Sequence, residues 1–138
     1  MIYERKVNYY ETDAMKIVHH SNYIRFLEEA RIYFMNNMGL PYDKMEEEGI
    51  MIPVLGVNCT YKNPCRFSDI IQIEVNIKEY TGVKLIIEYK LTNKTTQLLS
   101  LVGETKHCFT DDNMKPISLK KVKPEMNNIF EKYTKKCN

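Results

Sequence analysis

Residues 9–23 read YYETDAMKIVHHSNY and crowd titratable groups into one connection. Glu11 and Asp13 are carboxylates two positions apart, His19 and His20 are adjacent, and Lys16 lies between the two pairs. A turn needs none of these groups. A carboxylate placed there can attack an electrophilic carbon or take a proton from water. A helix starting just after the histidines would add unpaired N–H groups and a favourable dipole for an oxyanion. Hydrolysis of an activated acyl group needs both parts. Each residue also has a plainer use. An Asp ahead of a helix caps it or closes a turn. Two adjacent histidines without two further ligands nearby make a poor zinc site. Glu11 reads as a carboxylate supporting Asp13.

The flanking elements must hold this connection in place. Residues 2–10 read as a first strand. A helix is expected over 22–38, because Tyr23, Phe26, Leu27, Ala30, Phe34 and Met38 recur at three- and four-residue spacing. Ser21 is its expected N-cap and Gly39 stands where a C′ glycine belongs. Glu28 and Glu29 fall off that stripe and read as a solvated flank. Pro41 stops the helix, and a short second one covers 42–48. Strands are expected over 51–63, 69–80, 84–92 and 98–110. The third of the chain's strands alternates without a break, with Ile71, Ile73, Val75 and Ile77 on one side. A short helix near 124–134 closes the chain. Such a meander has an apolar face to cover, and the helix at 22–38 has the surface to cover it.

With 138 residues the chain is expected to form one domain, 1–138, with a real core. Hydrophobic residues make up 43% and charged residues 28%, an ordinary globular balance. The formal net charge of +2 gives no case for nucleic acid, and the lysine-rich stretch 115–136 reads as a solvated tail or helix face. No apolar h-region opens the chain and no apolar run approaches a membrane span. Cys59, Cys65, Cys108 and Cys137 include no CxxC pair, so reduced thiols and a cytoplasmic location are expected. Cys59 and Cys108 read as small buried apolar residues, and His107 as packed or on the surface.

The opening stretch resembles the N-terminal signature of the 4-hydroxybenzoyl-CoA thioesterase family. It is most similar to the short-chain acyl-CoA branch that includes the thioesterase associated with the Tol-Pal system. The matching residues are Thr12-Asp13, Ile17-Val18, His20 and Tyr23, followed by YIRFLEEAR and by Tyr61-Lys62 with Pro64. Met15 and Lys16 depart from it, since glycine or another small residue is usual there, and Lys6 replaces an Arg or Gln. The resemblance implies an α+β hotdog fold, a long central helix wrapped by one curved antiparallel β-sheet. It implies an acyl-CoA thioesterase without metal or organic cofactor, assembled as a homodimer or homotetramer. Asp13 would be the nucleophile or general base, and the backbone N–H of His20 would polarise the thioester carbonyl. His19, Asn22 and Tyr23 would contact substrate, and Lys62, Arg66 and Lys84 could meet CoA phosphates. Other readings are a thioesterase for acyl carrier protein, a non-catalytic acyl-CoA-binding module and a hotdog dehydratase.

Overall fold

The computed structural model describes residues 1–134; residues 135–138, Cys137 among them, lie outside the described residues. The elements run β1 (Ile2–Lys6), α1 (His20–Met38), α2 (Tyr42–Glu47), β2 (Val54–Tyr61), β3 (Ile70–Tyr80), β4 (Lys84–Asn93), β5 (Leu98–Cys108), α3 (Leu119–Val122) and α4 (Pro124–Tyr133). The strands form one sheet in the order β1-β3-β4-β5-β2. β1 runs antiparallel to β3, with Tyr3 opposite Ile73 and Arg5 opposite Ile71.

Three expectations change. The first strand ends at Lys6, because Asn8 starts a 3-10 turn over Tyr9–Glu11. There the Asn8 N–H donates to Glu11 Oε1 at 2.7 Å, and the Glu11 N–H donates to the Asn8 carbonyl at 3.0 Å. The helix begins at His20 and encloses Ser21, so Ser21 is not its cap. The meander holds only for β3, β4 and β5. β2 pairs with β5 at the far edge, and the connection through Asn63-Pro64 carries the chain away to β3.

The chain groups into two compact units. The first comprises residues 1–34, 59–75 and 89–103. Its core is the apolar stripe of α1 (Phe26, Leu27 and Ala30) together with Ile71, Ile73, Leu91 and Leu101, all with no measurable exposure. Each large side chain buried in this way contributes about 1.5–3 kcal/mol. Arg31 is buried within this unit and donates to the Tyr89 hydroxyl at 3.2 Å.

The second unit comprises residues 35–58, 76–88 and those from Glu104 onward. Tyr80, Phe109 and Phe130 pack ring to ring there, with centroids 5.1 to 5.8 Å apart. The Tyr80 hydroxyl donates to Asn127 Oδ1 at 2.6 Å. His107 is buried beside Thr105, 2.7 Å away. Cys59 and Cys108 are half-buried, less enclosed than expected, because they lie on the thinly covered faces of β2 and β5. No helix among the described residues is long and apolar enough to cross a membrane.

The C-terminus of α1 follows the sequence reading. Gly39 has φ +88°, its N–H reaches the Asn36 carbonyl, and the Leu40 N–H reaches the Met35 carbonyl at 2.9 Å. This paired pattern closes a helix through a left-handed residue, which glycine adopts without strain. Gly39→Ala should therefore cost about 1 kcal/mol by strain alone, since a Cβ there meets no atom within 4 Å. Urea unfolding should show a lower midpoint with an unchanged slope.

Candidate active site

The connection 8–19 is tied down by its own backbone. Thr12 and Val18 form an antiparallel bridge. Between them the Asp13 N–H donates to the Ile17 carbonyl at 2.9 Å and the Lys16 N–H to the Asp13 carbonyl at 2.8 Å. The Asp13 carboxylate accepts the Met15 N–H at 2.8 Å, so Asp13 closes its own turn. Lys16 has φ +65°, the left-handed region that glycine favours. A glycine would adopt this conformation without strain.

The start of α1 is prepared by Glu11 and His19. The Glu11 carbonyl accepts the His19 N–H at 2.9 Å and the Asn22 side-chain amide at 2.8 Å. His19 Nδ1 accepts the Ser21 N–H at 3.2 Å and lies 2.8 Å from the Ser21 hydroxyl. The His19 carbonyl accepts the Asn22 N–H at 2.9 Å. His19 thus takes the capping role that the sequence reading gave to Ser21. The first N–H of α1, at His20, meets no acceptor among the described residues. It sits at the positive end of a 19-residue helix.

A cavity of about 320 Å³ opens at this point. Asp13, His20 and Tyr23 line it, so three of the five sequence candidates share one space. Tyr61, Lys62, Asn63 and Pro64 form its opposite wall. His19 and Asn22 are not part of the lining, since both are spent on the loop and the helix start. The rings of His19 and His20 nonetheless stack, with centroids 4.3 Å apart. Only His20 belongs to the helix, so the two adjacent side chains need not diverge.

The far wall joins the loop through Cys65. Its carbonyl accepts the Val18 N–H at 2.8 Å and its N–H donates to the Tyr23 hydroxyl at 3.3 Å. Burial pushes the Tyr23 hydroxyl well above the ordinary tyrosine range and raises the Cys65 thiol, so both are neutral at physiological pH. Tyr23 and Tyr61 pack at 5.2 Å and give the cavity an aromatic side. Tyr61 and Asn63 were not identified as site residues from the sequence. The available signal was the break at Asn63-Pro64 after a long apolar strand, which marks a strand end where side chains turn toward a cleft. Lys62 lies on the lining and Arg66 is exposed nearby in sequence, while Lys84 belongs to the second unit. Among the described residues no three His, Cys, Asp or Glu side chains are placed to hold a metal ion.

Glu11 and Glu29 also depart from expectation. Glu11 is buried and accepts from Arg5 Nη2. Glu29 accepts from Arg5 Nη1 at 2.8 Å and from the Tyr3 hydroxyl at 2.9 Å, so it is a paired group as well as a partly solvated one.

A profile of the thioesterase-like superfamily matches residues 7–129. An Aquifex aeolicus protein with the provisional name of an esterase is 38% identical over 120 residues, which cover 87% of this chain and 91% of that protein. YneP of Bacillus subtilis, with a provisional acyl-CoA thioesterase name, is 31% identical over 132 residues, 96% of each chain. The crystal structure of DHNA-CoA thioesterase from Staphylococcus aureus superposes with a TM-score of 0.90 at 27% identity, covering 95% of this chain and 88% of that one.

The left-handed Lys16 gives a direct test of the loop. Lys16→Gly should relieve backbone strain of about 1 kcal/mol, partly offset by the greater freedom of glycine in the unfolded chain. We expect thermal unfolding at the same or a slightly higher temperature, with acyl-CoA turnover retained or raised. A large loss of turnover in the folded variant would give the lysine a specific role.

Proposed function

The chain belongs to the thioesterase-like superfamily, its fold is the hotdog fold, and from that premise we propose that it hydrolyses acyl-CoA to free acid and CoA. The observation that carries this reading is the convergence of Asp13, the start of α1 at His20 and the Tyr23 side chain on one cavity. The thioester carbonyl oxygen would accept the His20 N–H, where the helix dipole favours the negative charge that develops there. Asp13 would then act in one of two ways. As a nucleophile it forms an acyl-aspartyl anhydride and expels the CoA thiolate, and water then splits the anhydride and restores the carboxylate. As a general base it takes a proton from water, whose oxygen attacks the carbonyl carbon, and the departing thiolate regains the proton. The acyl group would lie against Tyr23 and Tyr61, and Lys62 at the mouth would face the phosphates of CoA. Within the superfamily, the Thr12-Asp13 to Tyr23 signature favours the 4-hydroxybenzoyl-CoA thioesterase type and its short-chain branch. The protein would act as one domain in the cytoplasm.

A second reading has its own observation. The Asp13 carboxylate already holds the Met15 N–H, as a purely structural turn residue in an acyl-CoA-binding module would. Asp13→Asn separates the two. The amide oxygen can keep the Met15 hydrogen bond, so the turn survives, but the amide can neither attack nor accept a proton at neutral pH. Turnover across a panel of acyl-CoAs should fall at least about a hundredfold, the low end for loss of a general base, with acyl-CoA binding retained. Hydrolysis at the parental rate would make Asp13 a turn residue only.

The protein would assemble through the β2 edge. β2 is an outer strand, and it exposes Val54, Leu55 and Val57, with Leu55 65% accessible. An apolar edge with unpaired backbone groups invites pairing with a second copy. Light scattering should show a dimer or a multiple of it. Leu55→Glu should shift it toward monomer without unfolding, and a wild-type monomer that turns over substrate would overturn this assembly.

A further inference from the structure

Arg5 is not in the cavity, yet it holds three parts of the chain at once. Its side chain is only 11% exposed. Nη2 donates to Glu11 Oε1 and to the Lys6 carbonyl, the second at 3.1 Å. Nη1 donates to Glu29 Oε2 at 2.8 Å and to Oε1 at 3.2 Å, and the guanidinium lies 4.2 Å over the Phe26 ring. Phe26 and Glu29 belong to α1, Arg5 belongs to β1, and Glu11 belongs to the loop between them.

Glu11 completes the circuit from its other side. Its side chain, 7% exposed, accepts from Arg5 and from the Asn8 N–H, while its carbonyl accepts the His19 N–H and the Asn22 amide. The path runs from Arg5 to Glu11, on to His19 and Asn22, along α1 to Glu29, and back to Arg5. A single residue therefore fixes the peptide directly before the proposed oxyanion donor, and its own position is set by a guanidinium whose planar fork can bind two carboxylates together.

We propose that Arg5 and Glu11 form a positioning clamp that sets the N-terminus of α1, and with it the His20 N–H, against the Asp13 loop. The clamp deepens the thioesterase reading and rests on it for its catalytic consequence. Neither residue touches substrate. The clamp acts through the geometry of the reacting groups, where a shift of about 1 Å can cost about a hundredfold in rate.

The test uses Glu11→Gln and Arg5→Lys in the full chain, with two readouts. Glu11→Gln keeps an acceptor for the Asn8 N–H and loses the charge facing Arg5. Arg5→Lys keeps the charge and loses the fork. Amide hydrogen exchange followed by NMR should show protection at His19 falling by about tenfold, as expected for loss of one charged hydrogen bond. Ile73 in β3 should be unaffected. With acyl-CoA as substrate, kcat should fall between about tenfold and a hundredfold with KM little changed. Unchanged protection at His19 in either folded variant overturns the clamp. So does an equal loss at His19 and Ile73, which marks a pair that serves only general stability. If the wild-type protein releases no CoA from any acyl-CoA, the thioesterase reading fails, and the exchange comparison still decides the clamp.

Discussion

A helix cannot satisfy its own first N–H groups, and the N-terminal third of this protein is organised around that constraint. Residues 8–19 bring acceptors to the start of α1 one by one. His19 Nδ1 takes the Ser21 N–H, the His19 carbonyl takes that of Asn22, and the Glu11 carbonyl takes that of His19 itself. The Cys65 carbonyl takes the Val18 N–H just upstream. After this sequence of pairings the His20 N–H has no acceptor among the described residues, and His20 is one of the residues that line the cavity. An unmatched donor costs free energy only where water cannot reach it; at an open cavity wall water can satisfy it, and in the proposed reaction a carbonyl would replace that water.

The ion pairs behind the loop follow a related logic. Buried pairs add little net stability, because desolvation offsets their attraction, but removing one partner costs about 3–5 kcal/mol. Arg5 is shared by Glu11 and Glu29 and also covers the Phe26 ring. An aliphatic side chain would cover Phe26 equally well, so packing alone does not account for the arginine. What the guanidinium adds is direction. It holds the Glu11 carboxylate at a fixed angle to β1, and the backbone of Glu11 passes that orientation to α1.

Periodic features of the sequence carried over well. The stripe from Tyr23 to Met38 is buried along its length, and Ile71, Ile73, Val75 and Ile77 all face inward. These patterns are legible because burial repeats at the period of the backbone itself. Contacts made by single residues were not legible. Ser21 has the preferred chemistry for a cap, but the helix starts two residues earlier than expected and the His19 imidazole serves instead. Asn22 was expected as a substrate contact from the family resemblance, yet its amide is committed to the Glu11 carbonyl. The wall made by Tyr61 and Asn63 depends on β2 crossing to the far side of β5. Local sequence does not encode that choice of strand neighbour. The Arg5 clamp was hidden for the same reason, since its partners lie 6 and 24 positions away.

The loop around Asp13 gives its carboxylate a structural task that leaves room for the chemistry proposed for it. A carboxylate offers about four lone-pair sites on two oxygens. Asp13 uses Oδ1 to close its turn with Met15, and no donor among the described residues meets Oδ2. The turn bond removes most of the side chain's rotational freedom before substrate arrives, so less ordering remains to be done in the reactive complex. The left-handed Lys16 adds backbone strain to this turn, and such strain persists only where surrounding bonds over-determine the conformation. Here the Thr12–Val18 bridge and the paired N–H groups of Asp13 and Lys16 do so. The carboxylate is therefore held by a frame that does not depend on its charge, and the charge would remain available for the proposed reaction.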